Sequence, residues 1–409
     1  MNKVKDFFKK IALFFKSLFV SVNNKEPKLL TAVKKEGVQT ALSSILCAIV
    51  GVFFGFLILL IIEPSEAFTG IKAILRNFLY WQEPKQRLSY FGDTIARAVP
   101  VIACGISVLF AYKTGLFNIG VAGQYCVGMC LCLVSAVAWK MPWIVSLLLA
   151  FVGGALWGAI SGALKAFFNV NEVIACIMTN WIGLYLTNIV LADDSIKNPK
   201  ILETVAVSDK CRLPNLGLDK LFGGNTHVTI AVLLVIVLAI VVDIILNKTT
   251  FGFELKATGN NKNAAKYAGM KEKRNIVLTM AISGGIAGIA ASFFYLTGIA
   301  QWEFGTSVPS MGFDGIAVAF LGGLNPYGVI FAGYFVQHVT RGGTYLDTTY
   351  YNPEVAQLII AIIIYLCAFM LFFKQFIQGR IKKSEDKKLR EQEKQLQSAI
   401  QEEKKEVQE

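Results

Sequence analysis

The chain has 409 residues, 55% of them hydrophobic and only 17% charged, with a mean hydropathy of +0.54. That balance excludes a soluble globular protein of this size and places the chain in a bilayer. Its formal net charge is +12, but no basic patch is interleaved with exposed aromatics on a polar domain, so no nucleic-acid partner is expected.

Residues 1–37 open with "MNKVKDFFKKIALFFKSLFV", in which lysines recur among Phe, Leu and Ile. The pattern predicts a basic amphipathic segment lying on a membrane surface. It is not read as a signal peptide, because Lys16 breaks the apolar stretch and no small-residue cleavage site precedes the next span.

Residues 41–62 carry no charge. At about 1.5 Å rise per residue they exceed the roughly 20 residues needed to cross a bilayer. Further spans are predicted at 92–112, 116–138, 143–168, 172–191, 227–246, 277–298, 312–324, 327–340 and 354–373. The expected fold is therefore all-α and polytopic, with about ten transmembrane helices making up residues 38–373.

Polar segments interrupt the spans at 63–91, 193–226 and 247–276. The first two fall outside and the third inside if the amino terminus is cytoplasmic. The third contains "KATGNNKNAAKYAGM", which predicts a short Ala-rich helix bounded by Gly259 and Gly269. The tail, 374–409, is rich in Glu, Lys, Gln and Leu with few apolar anchors, as expected of a solvated cytoplasmic helix.

In that topology 28 of the 40 basic side chains lie inside. Nine are in the leader, two are Lys113 and Lys165, seven run from Lys248 to Arg274 and ten are in the tail. The excess predicts that both termini are cytoplasmic, consistent with an even number of spans.

Seven of the eight cysteines lie in apolar spans, so no disulfide framework is expected. Cys126, Cys130 and Cys132 cluster, but the only histidines, His227 and His338, are far away in sequence, which favours packing over metal binding.

Polar residues inside a membrane are costly and so mark candidate functional positions. They concentrate in "GLFNIGVAGQ" (115–124), "NVNEVIACIMTNW" (169–181), "MAISGGIAGIAASFFYLTG" (280–298) and "GFDGIAVAFLGGLNPYG" (312–328). In the first block, glycines permit an irregular turn, and Asn118 and Gln124 either cap freed backbone groups or offer hydrogen bonds to a polar solute. Glu172 begins a span, where a carboxylate suits the positive end of a helix dipole. Asp314 is flanked by glycines in a short run that reads as a broken or re-entrant helix. Tyr295, Trp302 and Phe313 offer flat faces near it that could stack on a solute ring, although aromatic belts and packing explain such residues more often.

No phosphate loop, metalloprotease motif or nucleophile-base set occurs, so the chain is not read as an enzyme. An ion-coupled carrier would carry a chain of intramembrane carboxylates, and here Asp243 and Asp314 are read as nearly alone.

In the blocks "GLFNIGVAGQ", "NEVIACIMTNWI", "KATGNNKNAAKYAGM" and "GFDGIAVAFLGGLNP", the chain resembles permease subunits of bacterial ATP-binding-cassette importers for nucleosides and simple sugars. The longer of two paired nucleoside permeases is the nearest likeness. The resemblance implies a bacterial cell-membrane protein working with a second permease subunit, a cytoplasmic ATPase and a substrate-binding lipoprotein. ATP and Mg would bind the ATPase, with no cofactor in this chain. It also implies that residues 256–270 dock on the ATPase through Ala264, Ala265, Tyr267 and Gly269. Asn118, Gln124, Asn180 and Asp314 are then the candidate pathway residues. One departure stands out: the family usually places an acidic residue where this chain has Ala122. Outside the family, a carrier working without an ATPase and a scaffold without flux remain as readings.

Overall fold

The computed structural model describes residues 36–367 and scattered positions between 369 and 382. The predicted amphipathic leader and most of the charged tail lie outside the described residues. Residues 50–367 form one compact unit, and the described residues of the two flanks belong to another. Within the flanking unit, the Gln378 amide donates to Gln39 Oε1 at 3.0 Å.

Every named element is a helix, and among the described residues extended pairing is limited to two isolated bridges, Lys197 with Thr204 and Glu203 with Glu303. In chain order the helices are α1 (Glu36–Ile62), α2 (Ala67–Arg76), α3 (Pro84–Lys113), α4 (Val121–Leu133), α5 (Trp143–Phe168), α6 (Glu172–Leu191) and α7 (Leu218–Leu221). There follow α8 (Ala231–Lys248), α9 (Thr250–Asn260), α10 (Lys262–Tyr267), α11 (Glu272–Tyr295), α12 (Met311–Leu321), α13 (Pro326–Gly343) and α14 (Pro353–Cys367).

Among the described residues seven helices are long and apolar enough to cross a membrane: α1, α3, α4 with the π-helical turn after it, α5, α6, α8 and α11. The last three predicted spans are shorter or more polar. The α12 helix has 11 residues and α14 has 15. The predicted span at 92–112 is the second part of a longer helix, because Pro84 at the first helical position starts α3 eight residues earlier.

The centre of the unit is α3, whose apolar window is 89% buried, against 28% for α8. A helix that buries every face is walled by other helices, whereas one that buries a stripe leaves the rest to lipid. Around α3 pack α11, α12 and α13, and α11 in turn lies along α5.

The α5–α11 seam explains the glycines of "GGALWGAISGA" and "SGGIAGIAAS". A Cβ on Gly154 would stand 2.1 Å from the Gly284 carbonyl oxygen, and one on Gly284 would stand 2.2 Å from the Gly154 carbonyl oxygen. Lipid tails are as apolar as leucine, so close backbone approach replaces the hydrophobic effect as the cohesive term.

Local chemistry sets the helix ends. Asn169 closes α5 in the left-handed region (φ 53°), and the Asn171 side chain caps α6 by accepting from Val173 N at 2.9 Å. Glu172 occupies the first turn of α6, as the dipole argument requires, and pairs with Lys165 Nζ at 2.8 Å.

The break expected after Asp314 falls between α12 and α13. Gly323 and Leu324 both have positive φ, and Asn325 then caps α13 by accepting from Tyr327 N and Gly328 N at 3.0 and 3.2 Å. Pro326 fills the first helical position, where no amide is missed.

The inner polar segment departs from expectation in one respect. Gly259 does not bound the Ala-rich helix; it lies inside α9, and a Cβ there would sit 2.2 Å from the Thr114 carbonyl oxygen. The boundary is Asn261, in extended backbone, whose side chain accepts from Ala264 N at 3.0 Å and so caps α10.

Candidate functional site

Between α3 and α4 the chain leaves helical geometry at residues 114–120. Gly115 takes φ 80°, and a Cβ there would stand 2.4 Å from the Gly259 Cα. A helix broken inside an apolar bundle must find partners for its freed amides and carbonyls.

Asn118 supplies one of them and is itself held by Gln124. Asn118 Nδ2 donates to Gln124 Oε1 at 2.7 Å and to Ser283 Oγ at 2.7 Å. Asn118 Oδ1 accepts from Gly120 N at 2.9 Å and from Gln124 Nε2 at 3.1 Å. Ser283, on α11, continues the network to α3, donating to the Ser107 carbonyl at 2.8 Å while Ser107 Oγ donates to the Ser283 carbonyl at 2.7 Å.

Asn180, on α6, reaches the same loop from the other side. Its Oδ1 accepts from Gly123 N at 2.8 Å and its Nδ2 donates to the Ile119 carbonyl at 3.1 Å. The structure therefore brings three of the four candidate pathway residues onto one broken segment. Asn118, Gln124 and Asn180 are each at most 2% exposed, and their hydrogen-bonding groups are directed at protein partners in this conformation.

Asp314 stands apart from that network. It lies half-buried in the first turn of α12, a helix pressed against α3 and α4. A Cβ on Gly312 would fall 2.7 Å from the Ala122 Cβ, and one on Gly315 would fall 2.6 Å from the Cys104 Cβ. Ala122, the position of the departure, is fully buried in the first turn of α4. Nearby, Tyr295 and Trp302 are buried, and Trp302 Nε1 donates to Asn188 Oδ1 at 2.9 Å, so their rings pack; Phe313 is exposed.

The inner segment presents a different kind of site. Ala265 is 3% exposed and anchors α10, while Tyr267 is 94% exposed at the end of the helix. Gly269 then turns the chain with φ 81°. Ala264 also faces outward, so α10 offers a small apolar surface headed by an aromatic ring.

An ion network went unweighed in the sequence. Asp93, inside α3, accepts from Arg97 Nε at 3.1 Å and pairs with Arg341 at 2.8 Å and His227 Nδ1 at 3.6 Å. It joins α3, α13 and the segment before α8. Asp93 and Arg97 stand four residues apart inside a predicted span, which is the signal that would have exposed the pair. Asp243 and Asp314 are accordingly not the main intramembrane carboxylates.

Cys126, Cys130 and Cys132 are buried, reduced residues of α4. Among the described residues no group of three His, Cys, Asp or Glu is placed to hold a metal.

These observations define a multi-pass membrane protein with a broken, amide-capped segment in its core and a small helix projecting at one end. The chain belongs to the family of permease components of branched-chain amino-acid transport systems, which residues 90–368 match. It is 36% identical over 351 residues to the guanosine ABC transporter permease protein NupP of Bacillus subtilis, covering 83% of this chain and 96% of that one. It is 28% identical over 340 residues to the nucleoside ABC transporter permease protein NupB of Lactococcus lactis, covering 79% and 90%. The glucose ABC transporter permease protein TsgB13 of Haloferax volcanii is 30% identical over 306 residues, covering 71% and 80%. No solved structure matches the chain at a significant level.

Proposed function

We propose that this chain is the permease subunit of an ATP-driven importer that carries nucleosides across a bacterial cytoplasmic membrane. The likeness to the guanosine permease, extending over 83% of the chain at 36% identity, carries the reading. A simple sugar is the second reading, favoured by the 30% identity to a glucose permease.

In this reading both termini are cytoplasmic, because that orientation puts most lysines and arginines inside. The segment holding α9 and α10 then faces the cytoplasm, and α10 docks in a partner ATPase through Ala264, Ala265, Tyr267 and Gly269. The exposure of Tyr267 supports that assignment. ATP and Mg belong to the ATPase, a second permease completes a heterodimer, and a substrate-binding lipoprotein delivers solute outside.

Transport follows alternating access. ATP-driven closure of the ATPase pair moves α10, and the helices rock around the broken segments. Asn118, Gln124 and Asn180 act as the gate: their amides, now satisfied by one another and by the 118–123 backbone, exchange partners with a polar solute or with rearranged backbone as the segment opens. Asp314 lines the pathway from α12, apart from that network. An amide can offer donor and acceptor together, which suits the edge of a nucleobase.

The test is uptake of radiolabelled guanosine, uridine and ribose by cells expressing the chain with its partner subunits, with and without an inactivated ATPase. Nucleoside uptake that requires the ATPase is the expected outcome. Uptake that survives ATPase loss would identify a carrier acting alone, ribose uptake alone would establish the sugar reading, and the absence of any flux would favour a scaffold.

A further inference from the structure

The inner polar segment and the broken segment meet backbone to backbone. Gly259 is the penultimate residue of α9, and Gly115 opens the break that follows α3. A Cβ on Gly259 would stand 2.2 Å from the Thr114 carbonyl oxygen and 2.7 Å from Gly115 N, and one on Gly115 would stand 2.4 Å from the Gly259 Cα. Glycine inside a helix is destabilising relative to alanine, so its presence in α9 is explained by this approach and not by helix formation.

The contact stands at the end of a short, bonded connection. Only Asn261 separates α9 from α10, and it is tied to both: its N–H donates to the Ala257 carbonyl at 3.0 Å, its carbonyl accepts from Ala265 N at 3.0 Å, and its side chain caps α10. A displacement of α10 is therefore carried into α9 and not taken up by a loose linker. A second tie leads from α9 to α11, where Asn275 Nδ2 donates to Thr258 Oγ1 at 3.0 Å. Side chains there can change rotamer under load, whereas the two glycines have no rotamer to change.

We infer that the contact between Gly259 and Gly115 is the joint through which movement of α10 reaches the segment that holds Asn118, which makes both glycines positioning residues for transport. Backbone pressed on backbone passes a push on directly, since close-packed groups compress little. On the receiving side, Thr114 N and Gly115 N donate to the Ala111 and Tyr112 carbonyls at 3.1 Å each, and Asn118 follows three residues later.

Room to move exists beside the joint. A cleft of about 140 Å³ is lined in part by Thr114, Gly115, Thr258 and Gly259, and both glycines keep an exposed flank. The inference rests on α10 as the docking helix and on Asn118 as part of the gate, and it adds the point of transmission between them.

The test uses the transporter assembled with its partner subunits in nanodiscs, and reads amide hydrogen exchange with and without a non-hydrolysable ATP analogue. Exchange in 262–267 and in 114–120 should change together. A change in 262–267 with none in 114–120 would overturn the inference. No change in 262–267 would overturn the docking reading beneath it, so the two failures are distinct. Gly259→Ala then reads coupling: guanosine uptake per ATP hydrolysed should fall about tenfold, a barrier raised by about 1.4 kcal/mol. Gly288→Ala is the control for packing damage alone, because its methyl group meets the Ala150 carbonyl in the α5–α11 seam, away from the joint. There uptake and hydrolysis should fall in step. An unchanged ratio in Gly259→Ala, or an equal fall in Gly288→Ala, would overturn the inference. If Gly259→Ala fails to assemble, exchange in the unaltered complex decides by itself. That measurement needs no solute, so it stands apart from the nucleoside assignment.

Discussion

Asn118 and Gln124 exchange hydrogen bonds in both directions, Nδ2 to Oε1 at 2.7 Å and Nε2 to Oδ1 at 3.1 Å, at the point where the chain re-enters helix α4. Each amide makes the other's burial tolerable. Removing one leaves donors and acceptors stranded where water cannot reach. Asn118→Ala should therefore destabilise the protein by about 2–4 kcal/mol, since it orphans the Gln124 side-chain amide and Gly120 N together and removes one of the partners of Ser283. Denaturant titration of the purified chain measures this. A variant that kept full stability and lost only transport would assign Asn118 to the solute alone.

The glycine seam makes a steric prediction. Gly284→Ala places a methyl group against the Gly154 carbonyl of α5, an encounter that only movement of a helix relieves. The expected cost is about 1–3 kcal/mol, as for other overpacked cores. Gly224→Ala, at a position with nothing within 4 Å, serves as a control for a loop glycine, although its φ of 86° adds local strain. Midpoints of thermal unfolding in one detergent compare the two, and Gly284→Ala should be the lower.

The Asp93 network predicts a rescue. Asp93→Asn leaves Arg97, Arg341 and His227 facing a neutral amide, and a cost of about 2–3 kcal/mol is expected, toward the low end for broken buried pairs because the arginines are partly exposed. Arg341→Asp alone should be as damaging. The double variant Asp93→Arg with Arg341→Asp should recover part of the loss, because the pair linking α3 to α13 is restored with its sign reversed. Stability of the wild type, Asp93→Arg, Arg341→Asp and the double variant, analysed as a double-mutant cycle, gives the coupling.

Tyr267 predicts the opposite pattern. Its ring is exposed and makes no core contact, so Tyr267→Asp should change stability by less than about 0.5 kcal/mol. Co-purification with the ATPase should fall sharply, and uptake with it. If association and uptake both persisted, α10 would not be the docking helix.

At the junction of α4 and α12, Gly312→Ala brings two Cβ atoms to 2.7 Å and should displace α12 from Ala122. Because α12 also carries Asp314, uptake should fall more than stability. A larger residue at 122 would meet the same obstacle, so Ala122→Glu should lower the unfolding midpoint unless α12 moves away.

Much of this architecture was written in local pattern. An uncharged run such as 41–62 has one physical solution in a bilayer, a helix that satisfies its own backbone. Asn171 before Glu172, and Asn325 before Pro326, likewise announce helix starts through side chains that accept from the next free amides. The short helix ending at Tyr267 was legible for the same reason. What sequence alone could not decide was pairing at a distance. Whether Asn118 would meet solute or protein depended on Ser283 and Gln124 arriving at 2.7 Å, and Ser283 lies 165 residues away. Gly259 looked like a helix end and is instead the place where α9 touches Thr114, since glycine serves turns and close contacts alike. Asp93 has Arg97 as its charged neighbour along α3, and only the packing brings Arg341 and His227 to it. The sequence by itself determined that this chain crosses a membrane as helices and where some of them, such as α5 at 143 and α6 at 172, begin, because both follow from neighbours along the chain and from the solvent. Only the tertiary structure decided which buried polar groups satisfy one another, because the three-dimensional packing of helices far apart in sequence sets those distances.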